Sequence, residues 1–172
     1  MKIKENILNA LNGQIKAEFD SAFLYLSMAA DMYKIGLDGI GHWLYVQYRE
    51  EQDHALKIFN YLVQRGEKPE LLALEQPVYE WEEPCDIFRL ALEHEQFVTR
   101  SINELVSLAK SEEDYATDVF LHWYVMEQIE EERQVQDILD KIRMAGENGN
   151  GLLFIDDELS ERKYEPIDQE TD

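Results

Sequence analysis

The chain has 172 residues, 45% hydrophobic and 11% aromatic, which gives one domain with a buried core and excludes a disordered tail protein. Its 37 acidic residues outnumber 16 basic ones, a formal charge of -21, so duplex nucleic acid and anionic membrane surfaces are poor partners and cations are good ones. A single cysteine, Cys85, excludes an intramolecular disulfide framework and a CxxC metal knuckle.

The start, Met1-Lys-Ile-Lys-Glu-Asn, leads into an amphipathic pattern and not a signal peptide's apolar stretch. No apolar run is long enough to span a bilayer, so the expected compartment is the cytoplasm, with no membrane and no nucleic acid as partner. The first 68 residues hold no proline, which predicts long helices. The first helix runs about 5–34 and ends at Gly36. The Asp38-Gly39-Ile40-Gly41 cluster caps a second over about 38–65, which Gly66 and Pro69 end. Residues 67–84 carry three prolines and no sustained period, and read as a connector. Pro84 suits the first turn of a third helix over about 85–110. Ser111 with Asp114 resembles a capping box opening a fourth over about 114–145. Gly146 to Gly151 ends it, and a short last helix is expected over about 154–162. Residues 1–172 are expected to form a single domain.

Apolar residues recur at alternating steps of three and four in each long segment, the pattern of bundle helices. The seams read Ile7, Leu11, Gln14, Glu18, Ala22, Tyr25, Ala29, Met32; then Ile40, Leu44, Gln47, Glu51, His54, Ile58, Tyr61. The third reads Phe88, Ala91, Glu95, Val98, Ile102, Leu105, Ala109, and the fourth Phe120, Tyr124, Glu127, Glu131, Ile138, Ile142. The fold class is all-α, a four-helix bundle. A connector reaching up to about 60 Å can run the height of the bundle, which makes helices two and three parallel.

Each seam carries a glutamate near its midpoint: Glu18, Glu51, Glu95, and Glu127 or Glu131. Mid-height stays mid-height whichever way a helix runs, so the four meet in one layer. His54 lies one turn from Glu51 on the same face, and no lysine or arginine occupies the seams at this level. A single mid-helix glutamate is normally solvated. Four in register with a histidine are not, because uncompensated buried carboxylates cost several kcal/mol each. Cations in the layer resolve that cost, and oxygen-rich ligation with one imidazole suits iron or manganese and, less exclusively, zinc. Tyr25 shares the Glu18 face and is either a core tyrosine or a supporting or redox group. Glu50 points about 100° from Glu51 and either starts an outer site or is solvated. His42, His94 and His122 are assigned to no metal, and Cys85 is read as inert.

Over nearly the whole chain these residues resemble the bacterial non-haem ferritins, within the ferritin-like di-iron carboxylate family. The resemblance rests on Glu18 with Tyr25, Glu50-Glu51-Gln-Asp-His54, His94-Glu95-Gln96, Trp123-Tyr-Val-Met-Glu127-Gln128-Ile-Glu130-Glu131-Glu132 and Gly151-Leu-Leu-Phe-Ile-Asp-Asp-Glu-Leu-Ser160. It implies one iron held by Glu18, Glu51 and His54. A second would be held by Glu51, Glu95 and Glu131 with Gln128 nearby, and Tyr25 lies beside the pair. A third, outer iron would take Glu50, Glu127 and Glu130. It also implies the long crossover, the short fifth helix and a homo-oligomeric shell of 24 subunits. No haem is expected, since Gln52-Asp53 replaces the methionine that bacterioferritins use. The strongly acidic tail, residues 156–172, departs from nearer relatives.

The function implied is iron storage and detoxification: a ferroxidase that oxidises Fe(II) with O2 or H2O2 at a buried pair and deposits ferric mineral in the shell. The alternatives are a stand-alone di-iron peroxidase or oxygenase and a non-catalytic metal-binding bundle.

Overall fold

The computed structural model describes residues 2–77, 81–146 and 149–167. Five helices follow in chain order: α1 (Glu5–Lys34), α2 (Asp38–Gln64), α3 (Pro84–Ser111), α4 (Tyr115–Ala145) and α5 (Gly149–Ser160). The described regular structure is all helical, and no described helix is long and apolar enough to cross a membrane.

Local chemistry sets the ends. Gly36 takes a φ of 82°, a conformation that suits glycine, and closes α1. Pro84 opens α3, where Glu83 and Asp86 form a reciprocal capping box. The cap of α4 is Asp114, whose carboxylate accepts from Thr117 N at 3.2 Å. Ser111 does not take part. It is the last residue of α3 and donates to Leu108 O.

The largest departure from the expected boundaries is α5. It begins at Gly149, inside the glycine-rich stretch, and not near residue 154. One glycine of that stretch, Gly151, serves close approach. A Cβ on Gly151 would lie 2.9 Å from Ala145 Cβ, where α5 turns back on the end of α4. Gly39 has the same role on α2. A Cβ there would meet the Asp156 carbonyl oxygen at 1.7 Å, while the Asp156 carboxylate accepts from Ile40 N at 2.7 Å. Gly39 therefore lies within the helix as a docking seat for α5. Gly39→Ala is expected to push α5 off this seat at a cost of about 1–3 kcal/mol. In a chain of this size that lowers the thermal midpoint by about 2–10 °C. An unchanged midpoint in a melting experiment would contradict the seat.

Hydrogen bonds fix the topology. Ser101 Oγ reaches Gln14 Oε1 and His94 Nε2 reaches Ser21 Oγ, so α3 runs antiparallel to α1. The short turn from Lys34 to Asp38 makes α2 antiparallel to α1 as well. Helices α2 and α3 are accordingly parallel. The connector climbs along α1, with Glu70 N on Asn12 Oδ1 and Glu75 N on Asp20 Oδ1.

Every seam residue read on α1, α2 and α3 is buried. On α4 Tyr124, Glu131, Ile138 and Ile142 are buried as expected, and two of the six seam residues differ. The buried line is Thr117, Leu121, Tyr124, Gln128, Glu131, Val135, Ile138 and Ile142, while Phe120 and Glu127 are only half-buried. The core forms two apolar clusters. One contains Tyr25, Met28, Leu44, Phe88 and Leu139, and the other Leu11, Ile15, Ile58, Val98 and Tyr124. Between them lies the polar layer.

Candidate metal centre

The layer is built from all four long helices. Glu18 comes from α1, Glu51 and His54 from α2, Glu95 from α3 and Glu131 from α4, and none is more than 2% exposed. Ligand-capable atoms of Glu18, Glu51 and His54 all lie within 4.8 Å of one another. The same holds for Glu51, Glu95 and Glu131, so Glu51 belongs to both triples. His54 Nδ1 lies 3.5 Å from Glu51 Oε2 and 4.0 Å from Glu18 Oε2. The imidazole is held edge-on by Trp123 and Tyr124, with ring centroids at 5.4 and 6.2 Å. Tyr124 also donates to the His54 carbonyl at 2.8 Å.

Neutral donors orient the carboxylates. Gln14 Nε2 donates to Glu18 Oε1 at 2.9 Å. Gln47 Nε2 donates to Glu131 Oε2 at 2.5 Å, and Gln128 Nε2 to Glu95 Oε2 at 3.1 Å. The Tyr25 hydroxyl, fully buried, donates to Glu95 Oε1. Such partners fix ligand orientation without neutralising charge. Gln14 and Gln47 were visible in the seams but carried no assigned role. Their signal was the spacing, since each sits four residues before a layer glutamate, Gln14 before Glu18 and Gln47 before Glu51.

The charges are poorly balanced. Burial, with Glu51 alongside, pushes Glu18 from its ordinary 4.5 up to about 8. Burial and then Glu95 hold Glu51 well above the usual carboxylate range. Burial, Glu95 and Glu51 do the same to Glu131. Among the described residues, Glu18 Oε2 is buried with no hydrogen-bond partner. An orphaned carboxylate oxygen facing an imidazole and a second carboxylate is a fit for a cation. The donor set is hard and anionic with one imidazole, which suits iron.

Of the outer residues, Glu127 borders this layer, while Glu50 and Glu130 lie outside it. Glu50, Glu127 and Glu130 line a cleft of about 1150 Å³ together with His54 and Glu131. Glu127 joins His54 and Glu131 in a third close group, but Glu50 and Glu130 belong to none. Glu130 is exposed and accepts from Gln134 Nε2 at 3.0 Å. Glu50 is paired with Arg162 Nη2 at 2.5 Å. Although the seams hold no cation at this level, one thus reaches its edge from beyond the last helix. No sequence signal marked Arg162. His94 and His42 lie elsewhere, hydrogen-bonded to Ser21 Oγ and Arg162 O, and His122 Nε2 lies 3.3 Å from Asp118 Oδ1.

The ferritin-like domain family matches residues 8–145, which takes in the four long helices apart from the first three residues of α1, and the whole layer. The chain belongs to the ferritin-like family. Among its relatives in that family is a bacterial non-heme ferritin of Campylobacter jejuni, 43% identical over 90% of this chain and 92% of the relative. Another, from Bacteroides fragilis, is 39% identical over 93% of this chain and 99% of its own length. A solved open-pore ferritin of Archaeoglobus fulgidus superposes with a TM-score of 0.92 at 48% identity, covering 94% of this chain and 98% of that one. Ferritin-like bundles commonly use two Glu-x-x-His motifs. This chain has one, Glu51-Gln-Asp-His54, and places Glu131 on α4 where a second histidine would stand.

Proposed function

We propose that the protein captures Fe(II), oxidises it at the buried layer and stores the ferric product inside a homo-oligomeric shell. In this reading the 172-residue chain is one domain acting in the cytoplasm. The observation that carries it is the shared position of Glu51 in two buried triples, which suits two cations held side by side. Iron is the substrate and cargo. Glu18, Glu51 and His54 would bind one ion, and Glu51, Glu95 and Glu131 the second. Gln128 and Tyr25 orient Glu95.

The protein's own contribution is mainly electrostatic. Two Fe(II) ions neutralise carboxylates that burial otherwise keeps protonated, so binding releases protons. Each Fe(II) gives up one electron. A dioxygen taking both electrons and two protons leaves as hydrogen peroxide, and a hydrogen peroxide taking both with two protons leaves as two waters. Hard carboxylates favour the Fe(III) product over the Fe(II) substrate. The cleft holding Glu127 and Glu130 gives the product an acidic route away from the pair. The similarity to solved ferritins supports a shell of many copies, for which we propose 24 subunits.

Rapid mixing of the anaerobically Fe(II)-loaded protein with oxygenated buffer tests this. A fast phase that consumes about two Fe(II) per chain is expected. Oxidation no faster than in protein-free buffer would overturn the reading. A stand-alone di-iron enzyme would show the fast phase once and then require an organic substrate to turn over.

A further inference from the structure

The segment after α5 folds back over the mouth of the metal centre. His42 Nε2 donates to the Arg162 carbonyl at 2.8 Å. Tyr164 donates its hydroxyl to Asp53 Oδ2 at 2.5 Å, and the Arg49 guanidinium lies 3.7 Å from the Tyr164 ring centre. These contacts fix the backbone and one side chain on α2. Between them the Arg162 side chain turns inward and is only 14% exposed. Its Nη2 donates to Glu50 Oε2 at 2.5 Å, its Nη1 to Gln47 Oε1 at 2.8 Å, and its carbon lies 4.3 Å from the Trp43 ring centre. Gln47 in turn donates to Glu131. A guanidinium thus sits where a cation would meet Glu50 and is linked through one glutamine to the buried layer. Residues 162, 163 and 165–167 line the same cleft as Glu127 and Glu130.

We propose that residues 161–167 form a tethered arm whose Arg162 guanidinium competes with divalent cations for Glu50 and sets the affinity of the outer acidic group. The inference rests on the metal-centre reading above. A metal ion entering beside Glu50 must first displace the guanidinium. An arm closed about ten times more often than open weakens the apparent outer affinity about tenfold and leaves the buried triples nearly unaffected. Cargo leaving the pair is then less readily retained at the cleft. Arginine suits the role because its planar fork spans Glu50 and Gln47 together, which a lysine ammonium cannot do in the same geometry.

The test is calorimetric titration of the full-length assembled protein with Zn2+, a redox-inert probe, comparing the parent with Arg162→Gln. Both are expected to bind Zn2+ tightly at the buried layer. The variant is expected to gain about tenfold in affinity at an additional, weaker site, and Glu50→Gln in the same chain should remove that gain. A role limited to anchoring the tail would leave both isotherms alike and overturn the proposal, as would a gain that survives Glu50→Gln. Tyr164→Phe, which frees the arm without touching Arg162, should shift the weaker site in the same direction by a smaller factor. It serves equally if Arg162→Gln fails to assemble, and no shift there overturns the arm. Tight binding absent from the parent would overturn the metal-centre reading itself, a separate result from tight binding with no difference between the proteins.

Discussion

Glu51→Ala is expected to abolish the fast phase of Fe(II) oxidation. Glu51 is the only residue common to both buried triples, so its loss strips each of a carboxylate and removes the group placed to bridge them. Losing a residue that merely orients a ligand costs about 10–100-fold in metal affinity or activity. Losing a shared ligand should exceed that, so a fall on the order of 100-fold or more is predicted. Folding is not the limiting concern. The substitution removes a buried carboxylate held well above its ordinary range and leaves both apolar clusters untouched. Stopped-flow absorbance under anaerobic loading and oxygen mixing measures the effect, with the sizing profile checked in parallel. A variant that oxidises Fe(II) as fast as the parent would remove the layer from the chemistry.

Glu18→Gln is expected to stabilise the metal-free protein increasingly as pH rises from 5 to 8, with the advantage then constant. The Glu18 carboxyl is raised from 4.5 to about 8 by burial and by Glu51. A raised folded value means that protonation favours the folded state. That stability is full below about 4.5, declines between 4.5 and 8, and is gone above 8. At about 1.4 kcal/mol per pH unit, the parent loses on the order of 5 kcal/mol across this window from Glu18 alone. Glutamine cannot ionise, and its carbonyl keeps the bond from Gln14, so the variant escapes the loss. The gap in thermal midpoint, measured in chelator, should open as pH rises. Saturating Zn2+ should reverse the order at high pH, because the ion binds the parent's carboxylate and not the amide. A gap that stays constant or narrows between pH 5 and 8 would contradict a buried, uncompensated Glu18.

Much of this was legible in the residues themselves. Three seams could be read directly because their apolar residues keep strict steps of three and four and each is interrupted by one glutamate. The fourth was harder. Its buried line passes through Gln128, which is polar, while Phe120 and Glu127 on the flank resemble a core pair. Choosing apolar and acidic residues there puts Phe120 and Glu127 one position before the buried Leu121 and Gln128, while the other four seam residues lie on the buried line. Glycines misled for a different reason. Gly39 and Gly151 are signals of chain breaking in a sequence, but here they are seats where one helix approaches another. Arg162 lay outside any period. Its place depends on α5 docking on α2, a long-range event that local pattern does not encode.

Iron retained per chain is the most direct measurement of the central proposal. Excess Fe(II) is added in air to the purified protein, the product is passed over a sizing column, and iron and protein are assayed in each fraction. Iron far above the number of ligands, eluting with a large assembly, is the predicted result. About two or three irons per chain with no core would match only what the layer and its outer acids can ligate. That outcome would contradict storage and leave a di-iron enzyme or a simple metal-binding bundle.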